Sequence, residues 1–228
     1  MKVVSVHVPK CGGLSTRRAL LKHYQKTSKL RLDYSDQLGN SKSEANVDPK
    51  GFHAKALLNP ENRLEGVDVV HGHFRVSKYD NVKNALRVTI LRHPVDRLIS
   101  LFFYQRSRPI DLIEKPYTIS TAWDIRTGRL SIEQLSTLPL MRRFYADIYF
   151  GNFDMERFDY IGKMGSGETQ TQFIAKALNV PLNDMHVNQN LTEGYSQIVA
   201  DLKADKPLMS RLTNNLRDDI DFYERWAC

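Results

Sequence analysis

Short apolar runs alternate with amphipathic stretches along this chain. Four short runs of mainly apolar residues have the length of buried strands. They cover residues 3–8, 69–74, 87–91 and 158–162. Stretches with apolar residues three or four positions apart predict helices. These helices cover residues 15–25, 95–106, 172–178 and 210–226. The alternation predicts an α/β domain of three layers, in which helices flank a mainly parallel sheet of four or five strands.

Two polar segments interrupt this alternation. The segment from Lys26 to Glu65 is rich in turn residues, which predicts a loop near the mouth of a site. Residues 107–152 are divided by prolines and a glycine into short helical pieces. We therefore expect one domain over residues 1–228, with a helical insert at about 107–152.

The chain has 228 residues, of which 41% are hydrophobic, and a formal net charge of +7 at pH 7. No apolar run approaches the roughly 18 residues that a membrane-spanning helix needs, so we expect no membrane span. The excess of basic residues indicates an anionic partner. Two cysteines, and a first strand close to Met1 with no charged and apolar leader before it, favour a cytoplasmic protein.

The segment after the first predicted strand has the composition of an anion-binding loop. Gly12 and Gly13 allow a tight backbone turn. Ser15 or Thr16 can cap a helix whose free N–H groups face an anion, and Lys10 adds a full positive charge. A Walker A loop places its lysine after the glycines and directly before Ser or Thr, whereas here the lysine comes first. This order counts against a nucleotide-dependent kinase, which stays as an alternative.

A second phosphate-type signal follows the third predicted strand. Arg92 stands at the carboxyl end of this strand, and Pro94 suits the first turn of the next helix. Ser100 comes eight positions after Arg92, so the two side chains flank the helix start. A guanidinium can make two charge-assisted hydrogen bonds to one phosphate. The bland alternative is a surface arginine and a small packing serine.

His71 and His73 lie at the end of the second predicted strand. Side chains on a strand repeat every two residues, so both imidazoles are expected to point the same way. A histidine with a pKa of about 6.5 is a natural general base for a hydroxyl proton at neutral pH. A His-x-His pair can also hold zinc, but the chain offers Cys11 and Cys228 as its two thiols and no compact second cluster of ligands. We expect no metal.

Together these motifs resemble those of sulfotransferases that use 3′-phosphoadenosine 5′-phosphosulfate (PAPS). Their 5′-phosphosulfate loop is Pro-Lys-Thr-Gly-Gly-Thr-Ser, which residues 9–15 match except at Cys11 and Leu14. The His-Gly-His arrangement is similar to that of the uronyl and heparan sulfate 2-O-sulfotransferases. The resemblance covers the chain from the first strand to the last helix and implies a P-loop-like fold. It also implies transfer of a sulfuryl group from PAPS to a hydroxyl of a carbohydrate acceptor, with adenosine 3′,5′-bisphosphate (PAP) as the product.

The resemblance further implies a role for each matched residue. His73 is the base, His71 supports it, and Lys10 stabilises charge on the leaving phosphate oxygen. Arg92 and Ser100 hold the 3′-phosphate. The loop residues around the 5′ end of the donor are Cys11, Gly12, Gly13, Leu14, Ser15 and Thr16. Gly162 and Glu168 lie near the adenine, and residues 186–190 close over the nucleotide.

The insert at 107–152 is expected to shape the acceptor side. Its candidates for acceptor contact are Trp123, Arg126, Arg129, Arg142, Arg143 and Tyr145. The alternative outside enzymes is a basic domain that binds RNA or another polyanion. The aromatic residues lie in apolar runs, as in Leu101 to Tyr104, and no RNP-type or KH-type signature is present. We therefore expect no nucleic-acid partner.

Overall fold

The computed structural model describes residues 2–24, 27–36, 64–110, 121–165, 167–183 and 194–227. Its centre is a sheet of five strands in the order β2-β3-β1-β4-β5. The strands are β1 (Lys2–Val6), β2 (Leu30–Asp33), β3 (Val69–Gly72), β4 (Ala85–Leu91) and β5 (Tyr160–Lys163). Every neighbouring pair is parallel. The predicted α/β class with a parallel sheet is therefore confirmed.

Helices cover both faces of this sheet. They are α1 (Gly13–Tyr24), α2 (Pro94–Ser107), α3 (Thr121–Arg126), α4 (Ile132–Thr137), α5 (Pro139–Arg142), α6 (Gln170–Leu178), α7 (Tyr195–Ala204), α8 (Lys206–Asn215) and α9 (Arg217–Trp226). Short 3₁₀ turns cover Val76–Tyr79 and Met155–Arg157, and a π-helical turn covers Phe144–Tyr149. No helix of the described segments is long and apolar enough to cross a membrane.

Alternate residues of the central strand enter different cores. Val3 packs on one face with residues of α1 and α6, among them Leu20 and Ile174. Val4 packs on the opposite face with α2 and α9, among them Leu98 and Ile220. This division follows from the two-residue repeat of a strand that is buried on both sides. It produces the three predicted layers.

The edge strand β2 was not predicted. Leu30–Asp33 lies within the segment that we expected to be a loop, yet it pairs in parallel with β3. Its four residues include Arg31 and Asp33 and are too few for a clear apolar pattern, so pairing with β3 determines their conformation. Residues 37–63 of that predicted loop lie outside the described residues.

The last predicted helix is divided in two. We expected one helix over 210–226, but α8 and α9 meet at Leu216, whose φ of −103° and ψ of 15° leave the helical range. Helical hydrogen bonding continues across this break, since the Leu216 N–H donates to the Leu212 carbonyl at 3.1 Å. The apolar side chains of both helices therefore stay on one face. Leu212, Leu216, Ile220 and Tyr223 are all buried.

Neighbouring leucines on α1 test the assignment of the core. Leu20 is fully buried, whereas Leu21 is 39% exposed. We expect Leu20→Ala to lower the free energy of unfolding by about 2–5 kcal/mol, because it removes buried methyl groups and leaves a cavity. Leu21→Ala is the matched control and should change it by less than about 0.5 kcal/mol. Urea unfolding of both variants measures the difference, and similar losses would contradict this packing.

Candidate functional site

The loop between β1 and α1 turns sharply at Pro9 and Lys10. The Cys11 N–H donates to the Val8 carbonyl at 3.2 Å, and Lys10 has a φ of +68°. Proline followed by a residue with positive φ is the geometry of a type II turn. For a lysine, this left-handed conformation costs about 1–2 kcal/mol. The loop therefore holds Lys10 in a strained backbone conformation at the carboxyl edge of the parallel sheet.

Helix α1 begins at Gly13, two residues before the predicted caps. Ser15 and Thr16 consequently lie within its first turn, and Gly12, with a φ of +87°, precedes it. The Thr16 hydroxyl is buried and pairs with the Thr171 hydroxyl of α6 at 3.0 Å. The Ser15 N–H donates to the Gly12 carbonyl at 3.1 Å, whereas the first N–H groups of a helix have no partner within it and can face an anion. The side chain of Thr16, in contrast, fastens the helix to its neighbour.

Gly13 leaves room for the ring of His7. A Cβ atom at position 13 would lie 2.1 Å from His7 Cδ2, far inside van der Waals contact. The glycine is thus required by the close approach of a side chain. The sequence analysis assigned no role to His7, although it begins the loop motif.

Arg92 joins the loop after β1 to the loop after β4. Its Nη1 donates to the Lys10 carbonyl at 3.3 Å. The Lys10 Nζ lies over the Tyr104 ring of α2, 4.1 Å from its centroid. Burial, and then the positive charge of Arg92, lower the pKa of Lys10. The two cations predicted for opposite ends of one ligand are therefore close enough to repel each other.

The Tyr145 hydroxyl connects the same two loops from below. It donates to the Arg92 carbonyl at 2.7 Å and accepts from the Arg92 N–H at 3.3 Å. The Cys11 sulfur lies 3.5 Å from the same hydroxyl oxygen. Tyr145 is fully buried, so it positions the two loops and cannot contact an acceptor substrate.

His71 is held by hydrogen bonds at both ring nitrogens. Nε2 lies 3.1 Å from the Gly13 carbonyl and Nδ1 lies 2.8 Å from the Ser5 hydroxyl. A carbonyl only accepts, so Nε2 carries the proton and the Ser5 hydroxyl donates to Nδ1. Ser5 in turn accepts from the Gln170 amide at 2.9 Å. Burial lowers the pKa of His71 to about 3, so the ring is neutral at pH 7.

His73 occupies a different environment, because β3 ends at Gly72. Its ring contacts His7 edge-on at 4.4 Å between centroids and Tyr34 at 4.8 Å. His7 in turn stacks on His71 at 5.2 Å. Of the two other histidines, His7 is the one whose ring contacts His73, whereas we expected the support to come from His71.

The base form of His73 is favoured at neutral pH. Burial, together with the positive charge of Arg17 on α1, lowers the pKa of His73 to about 4. Within the described segments, the His73 Nε2 atom is buried and has no hydrogen-bond partner. At pH 7 the His73 ring is therefore neutral, and its Nε2 atom is left for another group.

One cleft of about 360 Å³ brings the predicted groups together. Its walls include Lys10, Gly12, Leu14, His73, Arg92 and Ser100, together with His7, Arg97, Tyr104, Met141 and Phe144, which the sequence analysis did not assign. The side chains of Cys11 and Thr16 and the ring of His71 are buried in the walls behind it. A second hollow shares Arg92 and Met164 with the cleft and adds Lys163, Gly165 and His93.

Gly162 and Glu168 lie away from this cleft. Gly162 is within β5, where an added Cβ would meet the Tyr160 hydroxyl at 2.5 Å. The Glu168 carboxylate forms an ion pair with Lys176 of α6. Their predicted role near the adenine stays a prediction, and the neighbouring residues 163–165 face the second hollow instead. The predicted closing segment 186–190 lies outside the described residues.

The insert contributes to the cleft through residues other than those predicted. Arg143 pairs with Asp147 and Asp218, and Arg129 pairs with Asp124. Among the described residues of the insert, Met141 and Phe144 line the cleft. An amphipathic pattern does not separate a residue that lines a cleft from one that fills the core, since both are apolar.

Metal ligation is a separate question for the three neighbouring histidines. Among the described residues, no group of three or more His, Cys, Asp or Glu side chains is arranged to hold a metal ion. The expectation of a reaction without a metal stays a prediction.

Comparison with known proteins identifies a family. The model of a protein family described as "Sulfotransferase family" matches residues 1–224 of the chain. Among solved structures, the crystal structure of a sulfotransferase from Alicyclobacillus acidocaldarius is similar at 15% identity, covers 99% of each chain and has a TM-score of 0.36. The comparison with curated proteins gives no match. The family match, which spans nearly the whole chain, is the finding that bears on identity.

The buried His71 should make stability depend on pH. Unfolded histidine takes up a proton at a pH of about 6.5, whereas folded His71 stays neutral down to a pKa of about 3. Between these values the unfolded state binds the extra proton, so stability falls as the pH falls, by about 1.4 kcal/mol per pH unit. We expect His71→Gln, which keeps a donor for the Gly13 carbonyl, to reduce this slope by that amount.

Urea unfolding at several pH values between 4.5 and 6.5 measures the slope. Subtracting the variant from the wild-type protein removes the contributions of other titrating groups, such as Asp219, whose pKa burial raises to about 7. His23→Gln, at the end of α1, is the control for loss of a histidine outside the network. An unchanged slope in His71→Gln would show that His71 is protonated in the folded protein.

Proposed function

The chain belongs to the sulfotransferase family, and we propose that it transfers a sulfuryl group from PAPS to a hydroxyl of a carbohydrate, with His73 as the base. The observation that carries this proposal is that Lys10, His73, Arg92 and Ser100 line one cleft. Their order along the chain places them on four segments, which the parallel sheet brings to one edge. The proposal gives each of them a separate task in the same reaction.

The 5′ end of the donor is assigned to the loop after β1. The N–H groups at the start of α1 and the ammonium group of Lys10 would hold the phosphosulfate there. As the bond between the sulfur and the phosphate oxygen breaks, Lys10 would stabilise the negative charge left on that oxygen. The lowered pKa of Lys10 supports this role, because a cation desolvated beside Arg92 gains from an anion between them.

The 3′-phosphate is assigned to Arg92 and Ser100. The Arg92 Nη1 donates to the Lys10 carbonyl, and the other N–H groups of the planar guanidinium can donate to a phosphate. Ser100 lies on α2 in the same cleft and is 8% exposed. Together they would fix the donor so that its sulfuryl group faces His73.

His73 would take the proton from the acceptor hydroxyl. The hydroxyl oxygen then forms a bond to the sulfur as the bond to the phosphate oxygen breaks, and PAP leaves with that electron pair. A neutral imidazole is the form that this step needs, and the lowered pKa of His73 supplies it. Bound phosphate groups would raise this pKa towards neutrality and so strengthen the base.

The proposal keeps a carbohydrate as acceptor, a reaction without a metal, no nucleic-acid partner and a cytoplasmic location. Tyr104 supports a sugar acceptor, because it brings a partly exposed side chain with an apolar ring and a polar hydroxyl to the cleft. The proposed domain is the whole chain, with the acceptor side formed by the insert at about 107–152. Met141 and Phe144 of that insert lie in the cleft with His73.

Nucleotide binding tests the donor assignment directly. We expect PAP at about 100 times its dissociation constant to stabilise the folded state by about 2.7 kcal/mol, which raises the melting temperature by about 5–10 °C. AMP, ADP and ATP at the same concentration should give smaller shifts, because they lack the 3′-phosphate. A thermal-shift series with the four nucleotides is the measurement. A larger shift with ATP than with PAP would favour the kinase alternative.

Substitution of the two reactive groups tests the chemistry. Lys10→Ala and His73→Ala should each lower kcat by about 100-fold or more, the scale of a lost charge-stabilising or base group. Turnover is measured as release of PAP from PAPS in the presence of a saccharide acceptor. Lys22→Ala, an exposed lysine on α1, is the control and should retain the wild-type rate. A near-normal rate in His73→Ala would remove His73 as the base.

A further inference from the structure

Arg97 of α2 is a buried cation that the proposed reaction has not used. It is fully buried, and its Nε, Nη1 and Nη2 atoms have no hydrogen-bond partner among the described residues. Unpaired charges are rarely buried, since removing an ion from water without compensation costs several kcal/mol. Such a group is suited to an anionic ligand that enters from the cleft. Arg97 also lines the cleft that holds Lys10 and Arg92.

The surroundings of Arg97 stabilise its plane and leave its N–H groups unpaired. The guanidinium lies over the Phe144 ring, 3.9 Å from the centroid, and 5.4 Å from the Tyr145 centroid. Cation–π contact satisfies the face of a guanidinium, whereas its hydrogen-bond donors point outward from the edge. The aromatic residues therefore orient a planar donor without satisfying it.

Asp219 is the carboxylate whose charge acts on Arg97, but it is occupied elsewhere. Its two oxygens accept from the Tyr145 N–H at 2.9 and 3.0 Å and from the Ala146 N–H at 3.1 Å. Burial raises the pKa of Asp219 to about 7, so at neutral pH it is ionised for only part of the time. Asp219 thus caps the π-helical turn and gives Arg97 partial compensation at most.

The position of Arg97 on its helix indicates which anion it meets. Arg97 and Ser100 are three residues apart on α2, which places them side by side on one helix face. Both line the cleft, and Arg92 precedes the same helix. Resting on the proposed function, we infer that Arg97 is a further binding residue for the ribose 3′-phosphate of the donor, together with Arg92 and Ser100.

This arrangement explains why a cation is kept inside the domain. Two guanidinium groups and a hydroxyl would surround a doubly charged phosphate, and a charged hydrogen bond in a buried site is stronger than one in water. The ligand-free protein then contains an unsatisfied charge that the nucleotide satisfies. Arg97 would favour nucleotides with a 3′-phosphate over those without one.

The experiment compares PAP with AMP, which lacks the 3′-phosphate, by isothermal titration calorimetry. Arg97→Met, which keeps the length of the side chain and removes its charge, should weaken PAP binding by about 10- to 100-fold. Its affinity for AMP should change little. Arg106→Met, an exposed arginine on the same helix, removes the same net charge and should bind both nucleotides as the wild-type protein does.

The melting temperature without ligand separates binding from a structural role. An unsatisfied buried charge destabilises the fold, so Arg97→Met should melt at the wild-type temperature or higher. Arg97→Lys keeps the charge without the planar fork and serves if the methionine variant does not fold; it should lose about 10-fold in PAP affinity.

Three results have distinct meanings. Unchanged PAP affinity in a folded Arg97 variant overturns the inference, and so does an equal loss for PAP and AMP, which would indicate a structural role. If the wild-type protein itself does not prefer PAP to AMP, the proposed function fails rather than the role of Arg97.

Discussion

The site depends on the hydrogen bonds that connect the loop after β1 with the loop after β4. Arg92 donates to the Lys10 carbonyl, and the Tyr145 hydroxyl bonds both backbone groups of Arg92 while contacting the Cys11 sulfur. Neighbouring parallel strands bring the two loops to the same edge of the sheet, but they do not fix the distance between side chains 82 positions apart. The Arg92 and Tyr145 contacts fix that distance. The cleft between Lys10 and Arg92 has its shape for this reason.

Burial governs the electrostatics of the cleft. Burial lowers the pKa of Lys10, His73 and His7. The buried guanidinium of Arg97 has no hydrogen-bond partner among the described residues. Each effect opposes positive charge in the protein, and the anion of the proposed reaction would relieve each of them. The strained backbone at Lys10 adds a further cost in the same place. The fold thus gives up stability at this edge of the sheet, which is the usual consequence of a site organised for a charged ligand before it binds.

The fold was largely predictable because its strands are short, apolar and followed by strong helix signals. β1, β3, β4 and β5 were each predicted within a few residues. The first three are apolar runs buried on both faces, which have few alternatives. β2 was missed because its four residues include two charged ones, and its pairing depends on a strand some 40 positions later. Long-range pairing of this kind leaves no local signal.

The site was predictable where a motif fixes a backbone and less so where packing decides. Lys10, Gly12 and Arg92 line one cleft, because a strand end determines where a loop points. The relation between His71 and His73 was not predictable, because it depends on where β3 ends and on the ring of His7 between them. Arg97 was missed although it is a charged residue on the buried face of an amphipathic helix. A charged residue among the apolar positions of this helix was the sequence signal that could have identified Arg97.

The two departures from the sulfotransferase loop pattern now have different consequences. Cys11 is 2% exposed, and burial raises the pKa of its thiol, so it is a protonated core group that bonds Tyr145. A threonine hydroxyl at this position would face the same core, and its replacement removes nothing from the cleft. Leu14, in contrast, lines the cleft itself. There the missing hydroxyl leaves an apolar surface beside the proposed phosphosulfate site, so the N–H groups of α1 and the Lys10 ammonium must provide the binding that a hydroxyl would otherwise share.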